Sequence, residues 1–138
     1  MDYLNVNWFS IMAAVVSSML IGFLWYSPVL FGKEWIELSN FKKGDLDQSK
    51  KGMTRTYSIT MVGSLVMAYV LKQVMDLVYV TSIFEAMQLA FWVWLGFVAT
   101  TMVNTVLYDR KPWMLYIINS GYQLANLLIM AAILSYWA

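Results

Sequence analysis

Residues 3–32, YLNVNWFSIMAAVVSSMLIGFLWYSPVLFG, pass thirty positions without a charged side chain. A bilayer core of about 30 Å is crossed by about 20 helical residues, so this run is long enough to span by itself. Working outward, sixteen uncharged residues separate Arg55 from Lys72, twenty-three separate Glu85 from Asp109, and twenty-seven follow Lys111. The second gap is short, but Arg55 and Lys72 can lay their methylene stems along a helix and lift their charges to opposite interfaces. The expected fold is therefore all-α: a polytopic membrane protein with four transmembrane helices in an up-down bundle. The helices are placed at about 5–27, 54–73, 85–107 and 113–136, in a single domain over residues 1–138, with a loop over about 33–53. The first run does not have the pattern of a cleaved signal peptide. It opens on Asp2, lacks a basic leading region, and continues well past a short apolar core.

Composition agrees and removes most other classes. Of 138 residues 61% are hydrophobic, 12% charged and 17% aromatic, with mean hydropathy +0.62, whereas soluble domains carry about 25% charged residues. A net charge of +1 gives no basic surface with which to neutralise nucleic-acid phosphates, so nucleic acid is not expected as a partner. Cysteine and histidine are both absent, which takes away disulfides, thiolate nucleophiles, imidazole bases and the usual ligands of zinc, copper, haem and iron–sulfur centres. No metal, cofactor or catalytic residue is expected, and no enzyme activity. No nucleophile in the spans has a recognisable neighbour to activate it.

The positive charges set the expected orientation, since basic loops stay cytoplasmic. Lys33, Lys42, Lys43, Lys50, Lys51 and Arg55 fall between helices one and two, Arg110 and Lys111 between three and four, and only Lys72 opposite. Eight against one places both termini outside and both basic loops in the cytoplasm. Trp25, Tyr26, Trp35, Tyr57, Tyr108, Trp113 and Tyr116 would form an inner aromatic belt; Tyr3, Trp8, Tyr79, Tyr136 and Trp137 an outer one. Asp45 and Gln48 have capping-box spacing, so helix two could start near Leu46. The apolar segment from Gln73 to Phe84 either lies along the interface or extends helix two.

The end of helix one reads Gly22-Phe23-Leu24-Trp25-Tyr26-Ser27-Pro28-Val29-Leu30-Phe31-Gly32-Lys33-Glu34-Trp35. Pro28 cannot donate a backbone hydrogen bond and biases Ser27 out of helical geometry, so a stop or kink is expected here, with Gly32 permitting a turn. The motif reads either as a helix stop dressed with interfacial aromatics or as a gate.

Together with Asn104, Leu107, Tyr108 and Arg110 after the third helix, and Asn119, Gly121 and Tyr122 in the fourth, this motif resembles the bacterial family known as domain of unknown function 1761. The likeness covers nearly the whole chain. Asp109 stands where the family pattern leads one to expect Glu. The resemblance implies a small four-helix integral protein of the bacterial inner membrane, and brings no activity, catalytic residue or cofactor with it.

Small residues recur four apart: Ala14, Ser18 and Gly22; Thr60, Ser64 and Ala68; Gly96 and Thr100. Such stripes allow close helix packing where lipid supplies no hydrophobic drive. Amides within spans must face protein or water. Asn119, Gln123 and Asn126 fall on one face of helix four, with Tyr116 a turn earlier, and Thr100 and Asn104 form a ridge on helix three. If the ridges meet they make a polar seam, which serves either as interhelical bonding or as a path. Glu85, the outer carboxylate, opens helix three where the helix dipole favours a negative charge. A faint echo links Ile21-Gly22-Phe23 and Leu95-Gly96-Phe97, each followed by a Lys and a Trp, as in a parallel two-helix duplication.

Two functional classes remain. One is a small-solute transporter or channel component acting as a homo-oligomer, with Thr100, Asn104, Asn119, Gln123 and Asn126 lining the seam and Trp25, Tyr26, Ser27, Pro28 and Gly32 forming the break. The other is a non-catalytic scaffold or accessory protein that binds a partner protein or lipid through its aromatic rims and the long loop. Membrane lipid is an expected partner in both.

Overall fold

The computed structural model describes residues 6–38 and 50–136, and among them the secondary structure is entirely helical. Helix α1, Trp8–Trp25, begins where Asn7 caps it: the Asn7 side-chain oxygen accepts from the amides of Phe9 at 3.1 Å and Ser10 at 3.4 Å. It ends just ahead of Pro28. The chain then folds back in a tight turn closed by Phe31 N–H to the Trp25 carbonyl at 3.0 Å and Gly32 N–H to the Ser27 carbonyl at 2.9 Å. A short helix α2, Gly32–Leu38, follows, with Glu34 in its first turn. The stretch expected as loop over about 33–53 is thus helical at both ends, because α3 already starts at Lys50 and runs to Leu77. Asp45, Gln48 and the lysines at 42 and 43 lie outside the described residues, as do Tyr3 and Trp137 of the aromatic belts.

Of residues 73–84 only the first five extend the second long helix: α3 continues to Leu77 before a turn in which Tyr79 takes a left-handed φ of 57°. Lys72, 8% exposed, reaches one turn along α3 to pair with Asp76 at 3.2 Å, its stem covered and its charge directed to the helix end. Helix α4, Ile83–Val93, is capped by Ser82, whose hydroxyl accepts from Glu85 N–H at 3.2 Å. Glu85 reaches back to accept from the Thr81 amide at 2.9 Å and its hydroxyl at 3.1 Å. This is a variant of the reciprocal cap, with the carboxylate accepting one residue ahead of the N-cap Ser82, and it accounts for the carboxylate at that position.

The third long helix is not uniform. After α4 the backbone passes through a π turn, Trp94–Ala99, then α5, Thr100–Met102, and after a break at Val103, α6, Asn104–Leu107. Its threonines explain the irregularity. Thr100 donates to the Gly96 carbonyl at 2.7 Å, Thr101 to those of Phe97 at 2.6 Å and Val98 at 3.1 Å, and Thr105 to that of Met102. Such back-bonding competes with the regular ladder and bends helices. Helix α7, Trp113–Tyr136, follows Pro112, whose fixed φ suits a helix start.

Among the described residues four helices are long and apolar enough to cross a membrane: Trp8–Trp25, Thr54–Leu77, Ile83–Leu107 and Trp113–Tyr136. Helix α7 packs between α1 and α4, and α3 packs chiefly on α1. Trp8 stacks on Tyr69 at 6.0 Å while Phe23 meets Tyr57 edge-on at 5.8 Å, so α1 and α3 run in opposite directions. Small residues make the close contacts: Ala14, Ala68, Ala86, Ala90 and Ala131 are fully buried, and the buried hydroxyls of Ser18 and Ser64 meet at 3.2 Å between α1 and α3. Two of the three small-residue stripes thus lie in helix contacts, whereas Gly96 and Thr100 face outward. Large apolar side chains point away from the bundle; Phe9, Leu20, Phe84 and Phe97 are each more than 60% exposed. An apolar exterior of this extent suits hydrocarbon, not water.

Candidate functional site

The break after α1 does more than end a helix. Tyr26 donates its hydroxyl to the side-chain oxygen of Asn119 on α7 at 2.8 Å, and the Trp25 indole N–H donates to the Ile118 carbonyl at 3.0 Å. From the other flank, the Trp94 indole N–H donates to the Ser120 carbonyl at 2.8 Å. The Tyr116 hydroxyl runs the opposite way, donating to the Ala99 carbonyl at the end of the π turn at 2.8 Å. One stretch of α7, residues 116–122, is therefore held from both sides by side chains that bond to backbone and amide groups. Each of these bonds occupies a polar group that would otherwise be stranded among apolar side chains.

Glycine makes the approach close. A Cβ on Gly121 would lie 3.3 Å from the Trp25 ring, and one on Gly22 would lie 3.2 Å from the Tyr122 hydroxyl oxygen. Tyr122 in turn makes a long contact, 3.4 Å, to the Ser18 carbonyl. The Trp25 ring also packs on Phe31 at 4.9 Å, and Tyr26 on Trp35 at 5.5 Å, so the turn, α2 and α7 share one aromatic cluster. Gly32 closes it from below. A Cβ there would come within 2.4 Å of the Tyr26 carbonyl oxygen and 2.7 Å of the Ser27 carbonyl carbon. Ser27 donates locally to the Leu24 carbonyl at 2.7 Å.

The amide face continues away from the break. Asn126 is 3% exposed; its NH2 reaches the Met67 sulfur at 3.6 Å, a weak acceptor, while its oxygen has no partner among the described residues. The buried side-chain oxygen of Gln123 is likewise unpartnered among the described residues. Thr100 and Asn104 are not brought into this row. Both are exposed, and among the described residues neither side chain bonds to α7. The third helix is linked to this stretch of α7 instead by Tyr116, reaching the Ala99 carbonyl, and by Trp94, reaching that of Ser120.

Beside the junction lies an open cleft of about 270 Å³ between α1 and α3, with Tyr122 of α7 on its wall. The rings of Phe23, Tyr26, Tyr57 and Tyr122 and the hydroxyls of Ser18 and Thr60 line it, and no charged side chain does among the described residues. No group of three acidic side chains gathers among the described residues to hold a metal.

Trp25 and Tyr26 thus face inward, not simply to an interfacial belt. The contributions of Trp94 and Met67 escaped the sequence reading. For Trp94 a signal existed, because it continues the four-residue spacing of Ala86 and Ala90. For Met67 none did, since nothing in sequence marks a thioether as an amide's neighbour. The strength of the junction is measurable by a double-mutant cycle of Tyr26→Phe and Asn119→Leu. The two changes together are expected to destabilise by less than the sum of the singles, with a coupling of about 1 kcal/mol. Unfolding in detergent micelles reads it; strict additivity would show that the bond contributes nothing.

The architecture defines a class: a small helical protein with four membrane-length helices, tied at one end by aromatic side chains on glycine-bearing helices. Within that class the chain belongs to the family of proteins of unknown function DUF1761, whose model matches residues 9–135. No curated protein and no solved structure matches it. Of the residues on which the family resemblance rests, Gly22, Trp25, Tyr26, Phe31, Gly32, Trp35, Asn119, Gly121 and Tyr122 gather at this junction, whereas Asn104, Leu107, Tyr108 and Arg110 stand exposed on and after α6.

Proposed function

We propose that this protein is a non-catalytic, multi-pass component of the bacterial inner membrane that conducts a small solute. Its termini lie outside and its two basic loops in the cytoplasm. The observation that carries the reading is the Tyr26–Asn119 bond. Tyr26 lines the cleft, and its hydroxyl is held by the first of three amides, Asn119, Gln123 and Asn126, that lead along one face of α7. A solute in the cleft touches the residue that begins this row. Beyond it stand two buried amide oxygens without partners among the described residues, which offer acceptors along the way. The outward-facing Thr100 and Asn104 support action as a homo-oligomer, because an amide in a span is best placed against protein or water, and a second copy supplies either.

Purified protein in liposomes, assayed with a panel of small neutral and cationic solutes, tests the reading. Flux is expected from the wild type and at least about tenfold less from Asn119→Leu, the effect of one lost contact of about 1.4 kcal/mol, with folded protein retained. Absence of flux across the panel would overturn the proposal in favour of a scaffold that binds a partner protein or lipid.

A further inference from the structure

The geometry points to the cleft between α1 and α3 as a binding site for a small organic ammonium ion, an inference that deepens the transport reading and rests on it for its purpose in the membrane. Three features converge. First, four aromatic rings converge on it: Phe23 against Tyr57 at 5.8 Å and Tyr26 against Tyr122 at 5.4 Å. Ring faces carry partial negative charge and attract cations, most strongly where water is thin.

Second, three hydroxyl hydrogens around the cleft, those of Tyr26, Thr60 and Tyr122, already have acceptors. Tyr26 donates to Asn119 at 2.8 Å, Thr60 to the Thr56 carbonyl at 2.8 Å, and Tyr122 to the Ser18 carbonyl at 3.4 Å. The Ser18 hydroxyl is paired with that of Ser64 at 3.2 Å. What these oxygens still offer a guest is lone pairs. At those oxygens a carbonyl or an anion would meet acceptor against acceptor, whereas a positively charged or donating group finds complementary surface. Third, no lysine or arginine lines the cleft among the described residues, so no fixed positive charge opposes a cation there. With no carboxylate in the lining either, the ring faces and oxygen lone pairs are the attraction on offer. That favours a soft, weakly hydrated ammonium carrying alkyl groups over a metal ion, because the latter would lose far more hydration on entry. A cleft of about 270 Å³ admits such an ion.

The probe is choline, compared with its uncharged isostere in which a carbon replaces the quaternary nitrogen, both titrated calorimetrically into the purified full-length protein in nanodiscs. Choline is expected to bind at least about tenfold more tightly than the isostere, as a desolvated cation–π contact allows. Tyr57→Leu, at an exposed position on the rim, is expected to weaken choline binding about tenfold, while Tyr57→Phe retains it. Because Tyr57 lies outside the buried core, the leucine variant is checked for an unchanged melting temperature, and Phe23→Leu serves as the second variant. Equal binding of choline and isostere would overturn the inference and mark the cleft as a seat for uncharged or lipid-like molecules; no binding of either would overturn it as well. Choline binding without flux of any solute would leave the site standing and remove the transport reading. Flux of other solutes with no choline binding would do the reverse.

Discussion

Gly32→Ala is expected to unfold the turn that joins α1 to the rest of the bundle. Three backbone atoms of Tyr26 and Ser27 stand 2.4 to 2.8 Å from where the new methyl would sit. A flexible side chain could swing aside, but backbone atoms of a hydrogen-bonded turn cannot. Relief requires breaking the Gly32 N–H to Ser27 carbonyl bond, and with it the placement of Trp25 and Tyr26 against α7. The expected loss is about 3 kcal/mol, the upper range for overpacking. A control isolates the steric cause. Gly63, in the middle of α3, has nothing within 4 Å of a built Cβ, so Gly63→Ala is expected to hold or raise stability by up to about 1 kcal/mol through helix propensity. Thermal melts of both variants in one detergent check the pair. Equal melting temperatures would show that the turn tolerates a side chain and that its tightness is not structural.

Trp25→Ala is expected to destabilise by about 3 kcal/mol, the lower end of the range for removing a large aromatic side chain, because the ring is half-buried. The ring lies against the backbone of Gly121, packs on Phe31 and faces Tyr122 at 6.5 Å, and its N–H donates to the Ile118 carbonyl. Trp25→Phe separates the two contributions: it keeps much of the packing and removes the hydrogen bond, so a loss nearer 1 kcal/mol is expected. Denaturant titration of purified protein reads both. A Trp25→Ala variant as stable as the wild type would mean that the ring is no more than an interfacial anchor.

The four spans were legible because their signal is crude: length between charges survives every local irregularity. The stop after α1 was legible from Pro28 and Gly32, whose backbone constraints are local. What sequence did not show is direction. Trp25, Tyr26 and Tyr116 belong to the composition of an aromatic belt, yet their polar atoms turn inward to Ile118, Asn119 and Ala99. Nothing in residue type separates these two uses, since the same ring with a polar edge satisfies both. Asn119, Gln123 and Asn126 were readable as one face because a regular α-helix preserves spacing. Thr100 and Asn104 were harder, because helical spacing was assumed across a segment whose threonines draw the backbone out of it.

That wider turn has a geometric outcome of its own. Counting along the inner edge of the third helix, Ala86, Ala90 and Trp94 follow at intervals of four, and the next buried position is Ala99, five residues on. One surplus residue shifts the rotational phase of everything downstream by about 100°. Without it, Phe97 or Val98 would take the inner position; with it, Phe97 swings out to 73% exposure and a methyl group takes the inner place. The helix thus keeps one neighbour along its whole length while presenting two different outer surfaces, before and after Trp94.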